Sequence, residues 1–335
     1  MSVYYWRKIL QGAMISSIPA MMAITTTAKQ AKVPELVLNG CCAGFKSTYR
    51  GSVNLELPEN LTKPIPYNEC IAMCRATLGL PKVPAPNENS RFKIDKCVEH
   101  KANKRTVMRC DYVESVGCVA GRLPAGLQAH EVVEYQDDLG RYFSEVAFLE
   151  EAAVQAFEWL AMELESLKAP DEFVQRARQA ADEEREHTQM TRLLAKMYNA
   201  PVPTVEVMPF TMRSLSEIAI ENAVEGCVRE TYASLMAQWQ SLRASSPEVR
   251  AVMSRIADEE TGHAALSWAI DEWITPKLGP EEREQKDKAQ RDMVDTLFAH
   301  HQKDPSLAMM EVAGFPSAAQ SQVLLQNLKA QVWQA

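Results

Sequence analysis

The feature that most narrows what this chain can fold into is a heptapeptide that occurs twice. Residues 181–187 read Ala-Asp-Glu-Glu-Arg-Glu-His, and residues 257–263 read Ala-Asp-Glu-Glu-Thr-Gly-His. Each contains a Glu-x-x-His unit, Glu184 with His187 and Glu260 with His263. Positions i and i+3 share a helix face, so each unit can offer a carboxylate oxygen and an imidazole nitrogen to one ion. Upstream, Glu150 precedes Glu184 by 34 residues and Glu225 precedes Glu260 by 35. Two antiparallel helix pairs with those offsets bring four carboxylates and two imidazoles to one level of a bundle. One Glu-x-x-His alone reads as a surface ion pair. Two in register, with two glutamates on apolar faces, read as a metal pair.

Helical periodicity surrounds these residues. The first helix is predicted over 139–168, with Phe143, Val146, Ala147, Val154, Phe157, Leu160 and Leu164 in one stripe and Glu150 inside it. A carboxylate on a buried face needs a partner, because an unpaired buried charge is very costly. The second helix, 171–199, aligns Phe173, Ala177, Ala180 and Leu194 with Glu184 and His187. The third, 214–242, aligns Ile218, Val228, Tyr232, Leu235 and Trp239 with Glu225; Glu221 and Glu230 lie about one turn away. The fourth, 247–275, starts at Ser246-Pro247, a natural cap, and carries Glu260 and His263. Between the second and third helices, residues 200–213 include three prolines, Pro201, Pro203 and Pro209. Fourteen extended residues reach about 46 Å, enough to cross a helix of about 42 Å. The two helix pairs look like an internal duplication. Helices over 280–301 and 316–333 follow, with no evident site.

The rest of the chain differs in composition. Of 36 Lys+Arg and 44 Asp+Glu, residues 1–130 hold 17 and 9, a net of +8, and residues 131–335 hold 19 and 35, a net of −16. Basic residues in the first part are scattered, and the acidic part repels polyanions, so nucleic acid is excluded as a partner. Seven of the eight cysteines, Cys41, Cys42, Cys70, Cys74, Cys97, Cys110 and Cys118, fall in that first part. Their density in proline-rich, loop-rich sequence predicts at least two disulfides and an oxidising compartment. A zinc or iron–sulfur site is the alternative, but no Cys-x-x-Cys pair occurs. Arg7 and Lys8, followed by a moderately apolar run to about residue 28, read as an export signal or an uncleaved N-terminal membrane anchor. The expected divisions are 1–28 for that segment, 29–130 for the Cys-rich part, 131–278 for the four-helix bundle and 279–335 for a helical extension.

Oxygen and imidazole donors suit iron and manganese, and four carboxylates balance two divalent ions. Histidine ligands usually need a partner for their other nitrogen. Glu183 and Glu259, each just before a ligand glutamate, are expected to hold the histidine of the opposite repeat. Tyr232, two turns beyond Glu225, is a candidate redox side chain, with core packing as the alternative. Cys227 reads as a small core residue. His100, His130, His300 and His301 read as solvated.

With these motifs in place, residues 139–275 resemble the ferritin-like di-iron carboxylate superfamily, and the longer chain is similar to bacterial ferritin-like-domain proteins with a Cys-rich N-terminal part. Gly121-Arg122-Leu123-Pro124-Ala125-Gly126-Leu127 and Glu225-Gly226-Cys227-Val228-Arg229-Glu230-Thr231 carry that closer likeness. The resemblance implies a mainly α, ferritin-like four-helix bundle with a long crossover between its second and third helices. It implies a site for two iron ions, or manganese, held by Glu150, Glu184, His187, Glu225, Glu260 and His263. The departures from the family pattern, Glu151 where histidine is usual and Glu183 and Glu259 where aspartate is usual, fall on residues around the ligands. The expected activity is redox chemistry with O2 or peroxide and a further substrate or reductant. Iron storage and a purely structural metal are the alternatives. Storage requires a cage, which the Cys-rich segment and the C-terminal helices oppose. Self-association and attachment to a membrane through the N-terminus stay open.

Overall fold

The computed structural model describes residues 8, 12, 47–56, 65, 67–77, 92–102, 105–116, 121–128 and 135–333. Apart from residues 8 and 12, the expected signal or anchor lies outside these, as do Cys41, Cys42, Cys118 and His130. Among the described residues, no helix is long and apolar enough to cross a membrane. The chain is mainly helical and forms two compact units, Phe45–Gly117 and one that includes Cys118–Ala335.

The smaller unit departs from the loop-rich expectation. Strand β1 (Ser47–Glu56), helix α1 (Tyr67–Thr77), β2 (Phe92–Ala102) and β3 (Arg105–Val116) build an antiparallel sheet of order β1-β3-β2 with one helix. Pro58, Pro64 and Pro66 fall between β1 and α1, and Pro81, Pro84 and Pro86 between α1 and β2. Proline lacks the N–H that helix and ladder interiors need, so here it marks the gaps between elements. Charged residues such as Lys93, Asp95, Lys96 and Glu99 interrupt the apolar pattern of β2 and obscure it in the sequence. Leu55 opposes Met108, and Cys97 opposes Cys110. Cys70, Cys74, Met108 and Cys110 are buried together. Two disulfides, Cys70–Cys97 and Cys74–Cys110, tie α1 to β2 and β3. Disulfides of this kind persist in oxidising compartments.

The larger unit contains four long helical rods. Helix α2 (Asp138–Ser166) is capped by Asp137, whose carboxylate accepts from the Gly140 amide at 2.7 Å. Helix α3 (Asp171–Met197) follows after a short turn. The third rod is composite: α4 (Leu215–Glu221), wide π-helical turns over Asn222–Glu230, and α5 (Thr231–Arg243). Helix α6 (Pro247–Ile274) starts at the Ser246 cap.

The route of the chain follows from contacts along α2. The end of α3 lies by the start of α2, where Tyr198 stacks on Phe143 at 5.4 Å. The linker then runs beside α2. Ser144 donates to the Pro201 carbonyl at 2.6 Å, Phe210 meets Trp159 at 5.3 Å, and Arg213 reaches Glu163 at 2.6 and 2.7 Å. From Ser144 to Glu163 is about 29 Å of helix. The third rod therefore starts beside the end of α2. It runs back until Gln240 meets Tyr142 at 3.1 Å, and α6 returns.

Apolar clusters hold these rods, one of them joining Ile218 and Ala219 to Ile274. Phe157, Leu160 and Leu164 of α2 pack with Val174 and Ala177 of α3 and with Leu266 and Ile270 of α6. Val228, Tyr232, Leu235 and Trp239 of the third rod pack outward against α7 (Pro280–His300) and α9 (Ala318–Leu328). Between these two lies a short helix, α8 (Leu307–Glu311), which periodicity did not reveal.

Arg213 fixes the far end of the crossover. The Glu163 side chain is fully buried and its carboxylate takes a forked contact from this guanidinium. Arg213→Ala leaves that charge without its cation, so the helical unit is expected to lose about 2–3 kcal/mol. Urea unfolding followed by tryptophan fluorescence measures the loss. Arg213→Lys, which cannot reproduce the fork, should recover only part of it.

Candidate metal centre

Midway along the rods, side chains from all four converge. The donor atoms of Glu150, Glu184, His187 and Glu260 lie within 4.8 Å of one another, and so do those of Glu230, Glu260 and His263. His187 Nδ1 stands 3.5 Å from Glu150, 3.4 Å from Glu184 and 3.6 Å from Glu260. His263 Nδ1 stands 3.2 Å from Glu184, 3.5 Å from Glu260 and 3.9 Å from Glu230. Glu184 and Glu260 thus face both rings, while Glu150 and Glu230 flank one ring each. The side chains are 0–3% exposed, except Glu150 at 12%.

The outward nitrogens are held as well. His187 Nε2 lies 2.8 Å from Glu259, and His263 Nε2 lies 2.9 Å from Glu183, so each histidine meets the glutamate of the other heptapeptide. Glu259 in turn takes Arg255 at 2.6 Å, and Glu183 takes Gln179 at 2.7 Å. These contacts set each ring with Nε2 outward and Nδ1 toward the cluster centre.

The centre differs from the sequence expectation at one ligand position. Glu225 is not among the converging donors; Glu230 is. Glu225 accepts from the Leu123 amide at 3.3 Å and pairs with Arg229 at 3.2 Å. The cause is the π-helical stretch. Wide turns bring residues four to five apart into line, since the ladder closes i to i+5. Glu225 and Glu230 therefore lie one above the other, and the level of the two histidines meets the lower one. An ordinary α-helical count selects Glu225. Proximity of Glu230 was legible; the wide turns that choose between the two were not.

Arg122, a residue the sequence reading quoted but gave no role, accompanies this stretch. Its guanidinium is buried among the rods, 2.8 and 3.0 Å from Glu221, 2.8 Å from Asn222 and 3.2 Å from Ser267. Its own amide donates to Glu230 at 2.6 Å. Gly226 makes room for it, since a Cβ there would sit 2.4 Å from Arg122 Nη2. Residues 121–123 thus cover the centre with two main-chain donors, one on Glu230 and one on Glu225.

Electrostatics reflect the crowding of acids. Burial and the neighbouring Glu184 raise the Glu150 pKa well above the carboxylate range. Burial and Glu260 do the same for Glu230. Burial would also raise Glu184, but the facing imidazoles of His187 and His263, at 3.4 and 3.2 Å, bring it below its ordinary value. Burial depresses both imidazoles, yet the carboxylates around them win, and both pKa values stand well above 6.5.

Tyr232, the candidate redox residue, points elsewhere. It is buried in the cluster formed with the C-terminal helices, and its hydroxyl lies 2.8 Å from His301 Nε2. His301 is therefore not the solvated residue the sequence suggested. Burial, with His300 nearby, lowers its pKa to about 4. Cys227 is fully buried, as a small core residue would be, and burial raises its thiol pKa well above the ordinary value. No family model matches the chain, and comparison with curated proteins and with solved structures gives no match.

The burial of His301 gives an acid-sensitive stability. The folded ring stays neutral down to about pH 4, whereas the unfolded ring protonates near 6.5. Between these values the unfolded chain binds more protons, so the contribution is complete above pH 6.5 and is lost as pH falls toward 4. A loss of about 2–3 kcal/mol is expected over that window. Urea midpoints for wild type and His301→Gln at pH 7 and pH 4 isolate it: the gap between the two proteins should narrow or reverse at pH 4.

Proposed function

We propose that this is a ferritin-like, carboxylate-bridged dinuclear metal protein whose resident cofactor is a pair of iron ions and whose activity is O2- or peroxide-dependent redox chemistry. One observation carries the reading. Both Glu184 oxygens, Glu230 Oε2, Glu260 Oε2 and Nδ1 of His187 and His263 are buried, converge on one centre and make no hydrogen bond. Buried polar atoms are nearly always satisfied, and stacking four carboxylates is costly unless cations join them.

The donor set fits two ions. His187 and Glu150 would hold one, and His263 and Glu230 the other. Glu184 and Glu260, which face both rings, would bridge. Two divalent ions carry the charge that four carboxylates balance. Oxygen and imidazole donors without thiolate suit iron and manganese, and the Glu-x-x-His pairs with one further glutamate on each remaining helix match the di-iron carboxylate pattern. The order of rods, with one long crossover between the second and third, supports the same family. A bound iron pair would supply reversible electron transfer to a small oxidant. Glu259 and Glu183 keep both imidazoles turned so that Nδ1 faces inward. The Arg122 amide fixes Glu230. Glu150, the most exposed of the six, lies where a small oxidant would enter. The disulfides fit export to an oxidising compartment such as a periplasm or cell envelope.

Anaerobic loading with Fe2+ followed by O2 or peroxide tests the proposal. Wild type is expected to hold two irons per chain and to change its near-ultraviolet absorption on oxidation. His187→Ala with His263→Ala should lose both metals while circular dichroism stays helical, because the apolar clusters extend well beyond the centre. Glu230→Ala should lose one, and Glu225→Ala should keep two. Metal must displace protons from these ligands, so affinity should fall about tenfold or more for each unit of decreasing pH. Unchanged iron content in the double variant would overturn the site. A loaded but redox-silent protein would overturn the activity and leave a structural metal.

A further inference from the structure

The smaller unit contains a second convergence of metal-ligating side chains, independent of the first. Cys70 and Cys74 lie one turn apart on α1, and Cys97 and Cys110 oppose each other on β2 and β3. Cys70, Cys74 and Cys110 are at most 4% exposed, while Cys97 is partly exposed. The two disulfides also approach one another. Cys74 Sγ, bonded to Cys110, lies 3.3 Å from Cys97 Sγ, which is bonded to Cys70. The sulfurs of Cys70, Cys74 and Cys97 all fall within 4.8 Å of one another, and Met108 Sδ lies 3.2 Å from Cys70 Sγ. A zinc–sulfur bond of about 2.3 Å sets tetrahedral sulfur separations of about 3.8 Å. The 3.3 Å between Cys74 and Cys97 is close to that value, and Cys110 adjoins the group through its bond to Cys74 and its place opposite Cys97.

We propose that, when both disulfides are reduced, Cys70, Cys74, Cys97 and Cys110 form a tetrathiolate site for one tetrahedral divalent ion of the zinc class. The same four sulfurs then join α1 to the sheet in either redox state, by two S–S bonds or by four metal–sulfur bonds. The route begins at Cys97, the partly exposed one of the four. A dithiol reductant attacks it, Cys70 leaves as thiolate, and the second thiol of the reductant frees Cys97. Cys97 then lies within reach of Cys74, so its thiolate can attack there and release Cys110, and a second dithiol frees Cys97 again. In total, two dithiols become two disulfides, and four electrons and four protons arrive on the cysteines. Binding of the ion displaces four protons. In the smaller unit this places the metal alternative weighed from the sequence and the disulfides on one set of residues.

Cobalt titration of the full chain tests this, since Co2+ shows an intense near-ultraviolet band only when thiolate binds it. Carboxylate-bound cobalt at the other centre gives none. After reduction with a phosphine, wild type should bind one Co2+ with the thiolate band, and Zn2+ should displace it. The oxidised chain should show no band. Cys74→Ser and Cys110→Ser should each lower the affinity at least 100-fold, whereas Cys227→Ser and a combined Cys41→Ser, Cys42→Ser, Cys118→Ser variant should retain it. Hydrogen exchange of the β2–β3 amides reads the fold. Protection in reduced protein that zinc restores or increases supports the site. A missing band, a band that survives Cys74→Ser, or β2–β3 amides that stay unprotected with zinc would overturn it.

Discussion

The helical unit depends on compensating buried negative charge. Glu150, Glu184, Glu230 and Glu260 approach the same two imidazoles inside a protein interior. Charges of one sign cannot be stacked in low dielectric without partners. Burial and crowding of acids make Glu150 and Glu230 hold protons more tightly than usual, and the surrounding carboxylates do the same for both histidines. The apolar clusters on either side hold the rods at a separation that keeps these groups facing one another. Glu183 and Glu259 aim the imidazoles from outside. Each crosses to the other repeat, so the two halves of the duplication are linked through the histidines.

Symmetry breaks in the third rod, and the break decides which acid joins the cluster. Between Asn222 and Glu230 the helix widens. There a side chain from outside the rods, Arg122, occupies the space left by the absent Cβ of Gly226 and is neutralised by Glu221. The same short segment places main-chain N–H groups on Glu230 and Glu225. Cover, cation and ligand orientation at this side of the centre therefore come from three consecutive residues. The C-terminal helices bury the outer face of the rod through Tyr232 and its neighbours. This explains why a tyrosine in register with the ligand helix serves packing and a buried histidine instead of the centre.

The smaller unit solves a different problem. A three-stranded sheet and one helix bury little apolar surface, and small domains of this kind commonly need covalent or metal staples. Its staples are sulfur: among the described residues, the buried apolar cluster of this unit is three cysteines and Met108, with Leu55, Ile65 and Ile71 packed against it.

Much of this was legible in the residues. The two heptapeptides, the 3.6-residue apolar stripes, the Ser246-Pro247 start and the length of the crossover determined four long helices and five of the six converging donors. They do so because helix periodicity is local and i, i+3 geometry is fixed by the backbone. The pairing of Glu183 with His263 and of Glu259 with His187 could also be read, since a duplicated helix pair relates the two faces. What the tertiary structure alone decided is where local periodicity fails or where partners are distant in sequence. Glu230 replaces Glu225 because the wide turns reset the register. Arg122 reaches Glu221 and Asn222 across about a hundred residues. The strands of the smaller unit were hidden because charged residues, Lys93, Asp95, Lys96 and Glu99 among them, interrupt their apolar pattern. The choice of disulfide partners among equivalent cysteines rests on a register, Cys97 opposite Cys110 beneath α1, that only the folded sheet defines.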